Sequence, residues 1–169
     1  RELMPADKSD ADVESPSIVW DGQSEYELVS MGFDTACGVR KGDRRTVCWG
    51  SKYYGMTGNG YSTGYTDEPV FTFDDEAYLL LDTNEQMFCG LTVDHRLKCW
   101  GRSYNGAAGD GDTADHNVTF PKQIDSDLEF LTVAVGNRHV CGLLFDGSIR
   151  CWGRGSEGQM GDGGTSGNT

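Results

Sequence analysis

The sequence predicts an all-β protein built from three repeating units of short antiparallel strands. Three observations predict it. The six cysteines, at positions 37, 48, 89, 99, 141 and 151, recur with a period of 51 or 52 residues. Each second cysteine opens a Cys-Trp-Gly triplet, at Cys48, Cys99 and Cys151, and each first cysteine is followed by glycine, at Gly38, Gly90 and Gly142. The 24 glycines, set against only 4 prolines, gather after those triplets and at hairpin tips, where turns are needed, rather than at random. Pro16, Pro69 and Pro121 share the same period. Such self-similarity is the mark of a repeat architecture.

The units follow in order. Residues 1–15 form an acidic arm without apolar patterning, expected either to be a flexible arm or to dock on a neighbouring subunit. Repeat 1 covers 16–63, with strands expected at 26–29, 36–39 and 46–50. Repeat 2 covers 64–115, with strands at 78–81, 88–93 and 96–101. Repeat 3 covers 116–169 and ends in a Gly-rich tail. Its strands are expected at 130–135, 140–145 and 148–153, the last two flanking the hairpin signal Asp146-Gly147. No stretch of ten or more residues holds a helical period between caps. A start at Arg1 and an end within glycines suit a fragment or a processed subunit.

Composition removes several function classes. The formal charge is −13 and no basic block exists, so a nucleic-acid backbone is not an expected partner. No apolar run approaches the roughly 18 residues of a membrane span. Each unit carries Gly-x-x-Gly-[Asp/Asn]-Gly after its triplet. This superficially resembles a phosphate loop, but it lacks the following Lys and a helix to open, so turn chemistry is the expected role. Asp110, Asp112 and Asp162 lack the spacing of a known calcium loop. No cofactor and no metal site are expected.

The cysteine pairs flank hairpins. Six cysteines allow fifteen connectivities. Cross-strand geometry favours Cys37–Cys48, Cys89–Cys99 and Cys141–Cys151, with reduced structural cysteines or a metal site as the alternatives. Disulfides would imply an oxidising compartment, hence an extracellular or cell-surface location reached through the secretory pathway. Asn117-Val118-Thr119 is a glycosylation sequon, expected in a loop between units.

The third unit reads Val133-Ala134-Val135-Gly136, His139-Val140-Cys141-Gly142-Leu143, Asp146-Gly147-Ser148-Ile149-Arg150-Cys151-Trp152-Gly153 and Gly158-Gln159-Met160-Gly161-Asp162-Gly163. It resembles the repeat of the regulator of chromosome condensation family, and all three units fit. The resemblance implies one four-stranded propeller blade per unit. It is similar to the cysteine-bearing extracellular variant, such as ectodomains of plant receptor kinases. Family propellers generally close with seven blades, so three blades imply an open arc, or part of a larger or intermolecularly completed propeller or stack. The namesake's nuclear role on chromatin and a small GTPase fits poorly with the charge and the paired cysteines.

No nucleophile elbow, metalloprotease motif or catalytic constellation is visible, and no enzymatic activity is expected. His139, beside Cys141, is expected to be a packed or edge residue. Trp49, Trp100 and Trp152 are expected in the blade core rather than in a carbohydrate-stacking ladder. Tyr53, Tyr54, Tyr61, Tyr65 and Tyr104, expected in loops after the triplets, are the binding candidates. The favoured function is an extracellular structural protein, the subunit of a surface filament, coat or other homopolymer whose partners are copies of itself. The alternative is a secreted or ectodomain module that binds another protein or a glycan.

Overall fold

The computed structural model describes residue 19 and residues 25–124 and 127–165. The expected arm at 1–15 and Pro16 lie outside the described residues. Three antiparallel sheets follow one another along the chain. The first blade comprises β1 (Tyr26–Met31), β2 (Thr35–Arg40), β3 (Thr46–Ser51) and β4 (Tyr65–Phe71). The second comprises β5 (Tyr78–Thr83), β6 (Met87–Thr92), β7 (Leu97–Ser103) and β8 (His116–Gln123). The third has three strands, β9 (Phe130–Val135), β10 (His139–Leu144) and β11 (Ile149–Gly153). The one helical piece among the described residues is a single 3-10 turn at Tyr53–Gly55.

Within each sheet the strands lie in sequence order, and the first strands meet each other, β1 against β5 and β5 against β9. The hairpins set the cysteines directly opposite one another. The disulfides are Cys37–Cys48, Cys89–Cys99 and Cys141–Cys151, with Cα separations of 4.0, 4.1 and 4.1 Å. That spacing marks a non-hydrogen-bonded pair, the closer of the two antiparallel kinds. Each disulfide therefore ties the two central strands of its own blade.

Sequence unit and blade are offset by one strand. In the first two blades the Gly-rich loop after the triplet turns the chain back along the outer edge of the strand it has just left. Pro69 and Pro121 thus fall in β4 and β8, the fourth strands of the preceding blades. Proline lacks an N–H and is tolerated on such edges. Both outer strands carry the same irregularity, which lies between Cys48 and Gly50 in one blade and between Cys99 and Gly101 in the other. Asn117 consequently lies on strand β8 and not in a loop, although it remains exposed.

The joints between blades repeat as well. The first strand of each blade carries an aromatic residue, Tyr26, Tyr78 or Phe130, beside the glycine that follows the first cysteine. A Cβ on Gly38, Gly90 or Gly142 would lie 2.8, 2.5 or 2.4 Å from the respective ring. Trp100 donates its indole N–H to the Met56 carbonyl of the preceding blade's loop at 3.0 Å, and Trp152 donates to Ala107 at 3.0 Å. The three tryptophans differ in burial. Trp100 is fully buried, stacked on Phe88 at 5.7 Å between centroids. Trp49 and Trp152 are half-buried, which corrects a uniform blade-core placement. Trp49 has no preceding blade among the described residues to supply a loop, and Trp152 lies on a strand whose outer edge is unpaired among them.

Candidate functional site

One end of the blade arc gathers the loops that follow β3 and β7 and the β5–β6 and β9–β10 turns. Aromatic and cationic side chains line up across this end. Tyr53 and Tyr65 make an edge contact at 5.6 Å between centroids, and Tyr53 and Tyr54 lie 6.5 Å apart. The Arg102 guanidinium sits between two rings, 4.6 Å from the centroid of Tyr54 and 4.2 Å from that of Tyr104. Arg138, on the β9–β10 turn, also lies over Tyr104, 4.7 Å from its centroid. Tyr61 lies under the Lys52 ammonium at 5.4 Å. The row Tyr54–Arg102–Tyr104–Arg138 draws one or more residues from each blade.

Local structure positions these groups. Tyr54 has φ +63°, inside the 3-10 turn, a left-handed conformation that is uncommon for a bulky residue. Arg102 donates its backbone N–H to the Gln86 carbonyl, which fixes the strand end from which its side chain leaves. A cavity of about 260 Å³ beside the row is lined by Phe33, Asp34, Tyr53, Tyr54, Tyr65, Glu85 and Gln86. Phe33 is exposed at its rim.

Of the five tyrosines singled out from sequence, Tyr53, Tyr54 and Tyr65 come together, and Arg102 links them to Tyr104. Tyr61 stands beside Lys52. Tyr65 opens strand β4 instead of lying in a loop. Arg102 and Arg138 were missed, because nothing in their sequence spacing places them over these rings. The arginine directly after Cys-Trp-Gly at both 102 and 154 could have suggested Arg102, near the end of β7, but Arg138 arrives from another blade.

The acidic residues of the second Gly-rich loop are occupied by protein groups. Asp110 accepts hydrogen bonds from His116 Nε2 and Lys122 Nζ, each at 3.0 Å. Burial works against its charge, but these two partners outweigh it and hold its carboxyl below the usual range. Burial likewise opposes the charge on His116, yet the Ala114 carbonyl and Asp110 raise its pKa above the ordinary value. His139 lies half-buried on β10, its ring in the space that a Cβ on Gly136 would need.

The regulator of chromosome condensation (RCC1) repeat pattern matches residues 94–143 and again residues 130–159. Residues 94–159 thus match the RCC1 repeat. Among curated relatives, the ultraviolet-B receptor UVR8 of Arabidopsis thaliana is 26% identical over 139 residues, covering 80% of this chain and 32% of that protein. Among solved structures, Prp20p of Saccharomyces cerevisiae superposes with a TM-score of 0.73 at 20% identity, covering 88% of this chain and 37% of that one. The ectodomain of the Physcomitrella patens receptor kinase CR4 superposes with a TM-score of 0.52 at 24% identity, covering 85% and 33%. The chain thus spans about a third of the length of these proteins. The two structural likenesses bear on the fold, an all-β arrangement of propeller-type blades.

Proposed function

We propose that this RCC1-repeat chain is an extracellular, non-catalytic module that binds a protein partner through the Tyr–Arg end of its blade arc. The observation that carries this reading is the row Tyr54–Arg102–Tyr104–Arg138. Tyrosine and arginine concentrate binding energy at protein contacts, and here both residue types are held in place by mutual stacking across two blade joints. The three disulfides support an oxidising compartment. The likeness to a receptor-kinase ectodomain and the exposure of the Asn117 sequon on β8 agree with the same compartment.

The test is cross-linking of the secreted, disulfide-intact chain to intact cells or to the extracellular proteins of its source, with identification of the captured species. A discrete partner retained by the wild type and lost in Arg102→Ala and Tyr104→Ala supports the reading. Equal capture by both variants overturns it. Intact mass of the secreted chain reports disulfide number and occupancy at Asn117.

A second reading is the subunit of a surface filament, coat or other homopolymer. The outer edge of β11, unpaired among the described residues, favours it. Electron microscopy of isolated material separates the two, since fibres or rings support the polymer and lone particles support the module.

A further inference from the structure

Most arginines of this acidic chain stand against an acid. Arg40, Arg44, Arg45, Arg96 and Arg154 each reach an Asp or Glu carboxylate at between 2.6 and 3.6 Å. Arg102 and Arg138 are different. Neither has an ion-pair partner among the described residues, and each lies over the Tyr104 ring, 4.2 and 4.7 Å from its centroid. A ring supplies no lone-pair acceptor, and each guanidinium carries five N–H donors. Two positive groups are thus gathered on one ring with their donors left for a ligand. The chain has 27 acidic residues against 14 basic ones, so it does not lack acids that could have quenched them.

The backbone under this pair is fixed by hydrogen bonds across the second and third blades. Asn84 is the junction. Its Nδ2 donates to the Gly136 and Asn137 carbonyls at 2.7 and 3.1 Å, which ties down the turn that carries Arg138. Its Oδ1 accepts from the Gln86 and Met87 N–H groups at 2.7 and 2.8 Å. The Gln86 carbonyl in turn accepts the Arg102 N–H at 2.8 Å. The Arg138 carbonyl accepts the Arg154 N–H, also at 2.8 Å. One continuous set of bonds therefore places the two arginines relative to each other. Groups positioned in advance lose less freedom when a partner binds. A guanidinium also presents its donors as a flat fork that matches the two oxygens of a carboxylate.

We propose that the Arg102–Arg138 pair receives one acidic side chain, Asp or Glu, from a short segment of a partner protein. The surroundings select a single carboxylate over a run of anions. The adjoining cavity carries Asp34 and Glu85, whose carboxylates have no side-chain partner among the described residues. A second acid beside the first would meet these carboxylates, and a polyanion would meet a chain of net charge −13. Phe33, Tyr53 and Tyr65, exposed around the same cavity, offer apolar surface to the residues that flank the acid. One carboxylate on two prearranged guanidiniums, bordered by aromatic surface, matches the way a few anchors dominate protein contacts.

This inference rests on the Tyr–Arg reading and names what the partner brings to that face. Its test is selection from a random peptide library displayed on phage, against the immobilised, disulfide-intact full chain. Arg102→Gln/Arg138→Gln, Arg102→Glu/Arg138→Glu and Tyr104→Ala are screened in parallel, with far-UV circular dichroism to establish that they remain folded. The wild type is expected to enrich peptides with one Asp or Glu at a fixed position. The double Gln variant should lose that preference, and the double Glu variant should replace it with Lys or Arg. In fluorescence anisotropy, changing the selected peptide's acid to its amide should raise Kd about tenfold or more for the wild type and leave it unchanged for the double Gln variant. An acid preference that persists in the double Gln variant overturns the inference. So do selected runs of acids, no enrichment over an unrelated disulfide-bonded protein, or displacement of the peptide by heparin at equal concentration, which would assign the pair to a sulfated glycan. Peptides without an acid that are lost in Tyr104→Ala overturn it while leaving the Tyr–Arg reading standing. Peptides that bind all variants equally overturn both.

Discussion

The ring of Tyr78 occupies the space that a side chain on Gly90 would need: a Cβ there would fall 2.5 Å from the ring edge. Both residues are fully buried. The Tyr78 hydroxyl donates to Asp74 at 2.7 Å, so the ring cannot withdraw without breaking that bond. Burial and the Asp74 carboxylate together push the phenol well above its ordinary pKa, which keeps it a donor. Gly90→Ala is therefore expected to cost about 1–3 kcal/mol through overpacking. Chemical denaturation of the variant measures it.

Tryptophan positions that look alike in sequence should respond differently. Trp100→Phe leaves the Met56 carbonyl buried without its donor, at a cost of about 1–3 kcal/mol. Trp49→Phe removes no hydrogen bond made within the described chain and should shift the melting temperature of the dilute protein far less. Thermal denaturation of the two variants side by side makes the comparison.

Lys98 bridges Asp74 at 3.2 Å and Glu76 at 3.0 Å at the joint between the first two blades. Its side chain and that of Asp74 are each only 12% exposed. Lys98→Met would leave the Asp74 carboxylate its hydroxyl donors Tyr78 and Thr72 but no cation, a loss of about 1–3 kcal/mol. Urea denaturation of wild type and variant at neutral pH measures the loss.

The clasp of Asp110 with His116 and Lys122 predicts a pH window. The His116 pKa is raised in the folded state, so its contribution is fully present below 6.5 and is lost as pH rises through the higher folded value. The Asp110 pKa is depressed, so its contribution is present above 3.8 and is lost as pH falls through the lower folded value. The clasp is complete between those two values. A melting-temperature profile should decline on the alkaline side in the wild type, and His116→Gln should flatten that decline.

The disulfides should not reduce together. Cys37, Cys48, Cys89 and Cys99 are fully buried, whereas Cys141 and Cys151 are half-buried on the blade that has no outer strand among the described residues. Access governs thiol attack. Mild reductant followed by alkylation and peptide mass mapping should label Cys141 and Cys151 first. Loss of that link is worth about 2–3 kcal/mol by the chain-entropy argument for a short loop.

The first three strands of each blade were legible because cysteine, hairpin glycine and apolar runs mark them together, and each observed strand lies within about two residues of its expected span. The outer strands were not. Tyr65-Thr66-Asp67-Glu68-Pro69 has neither alternation nor an apolar run, and its proline argues against a strand until the edge position is known. The series Tyr26, Tyr78 and Phe130 was present in the sequence at a spacing of 52 but says nothing by itself about a ring resting on a glycine of the next strand. The tyrosines could be nominated one by one. Their union through Arg102 and Arg138 is a product of packing between blades.

The one-strand offset between sequence unit and blade carries a consequence for how such a chain changes length. The second and third stretches of about 52 residues each give their first strand, β4 or β8, to the blade before and the rest to their own. Duplicating or deleting one period at any cut point therefore regenerates the same joint, with the same glycine under the same aromatic ring and the same indole on the same carbonyl. Copy number can drift by unequal exchange without inventing a new interface, and blades remain laced to their neighbours like overlapping roof tiles.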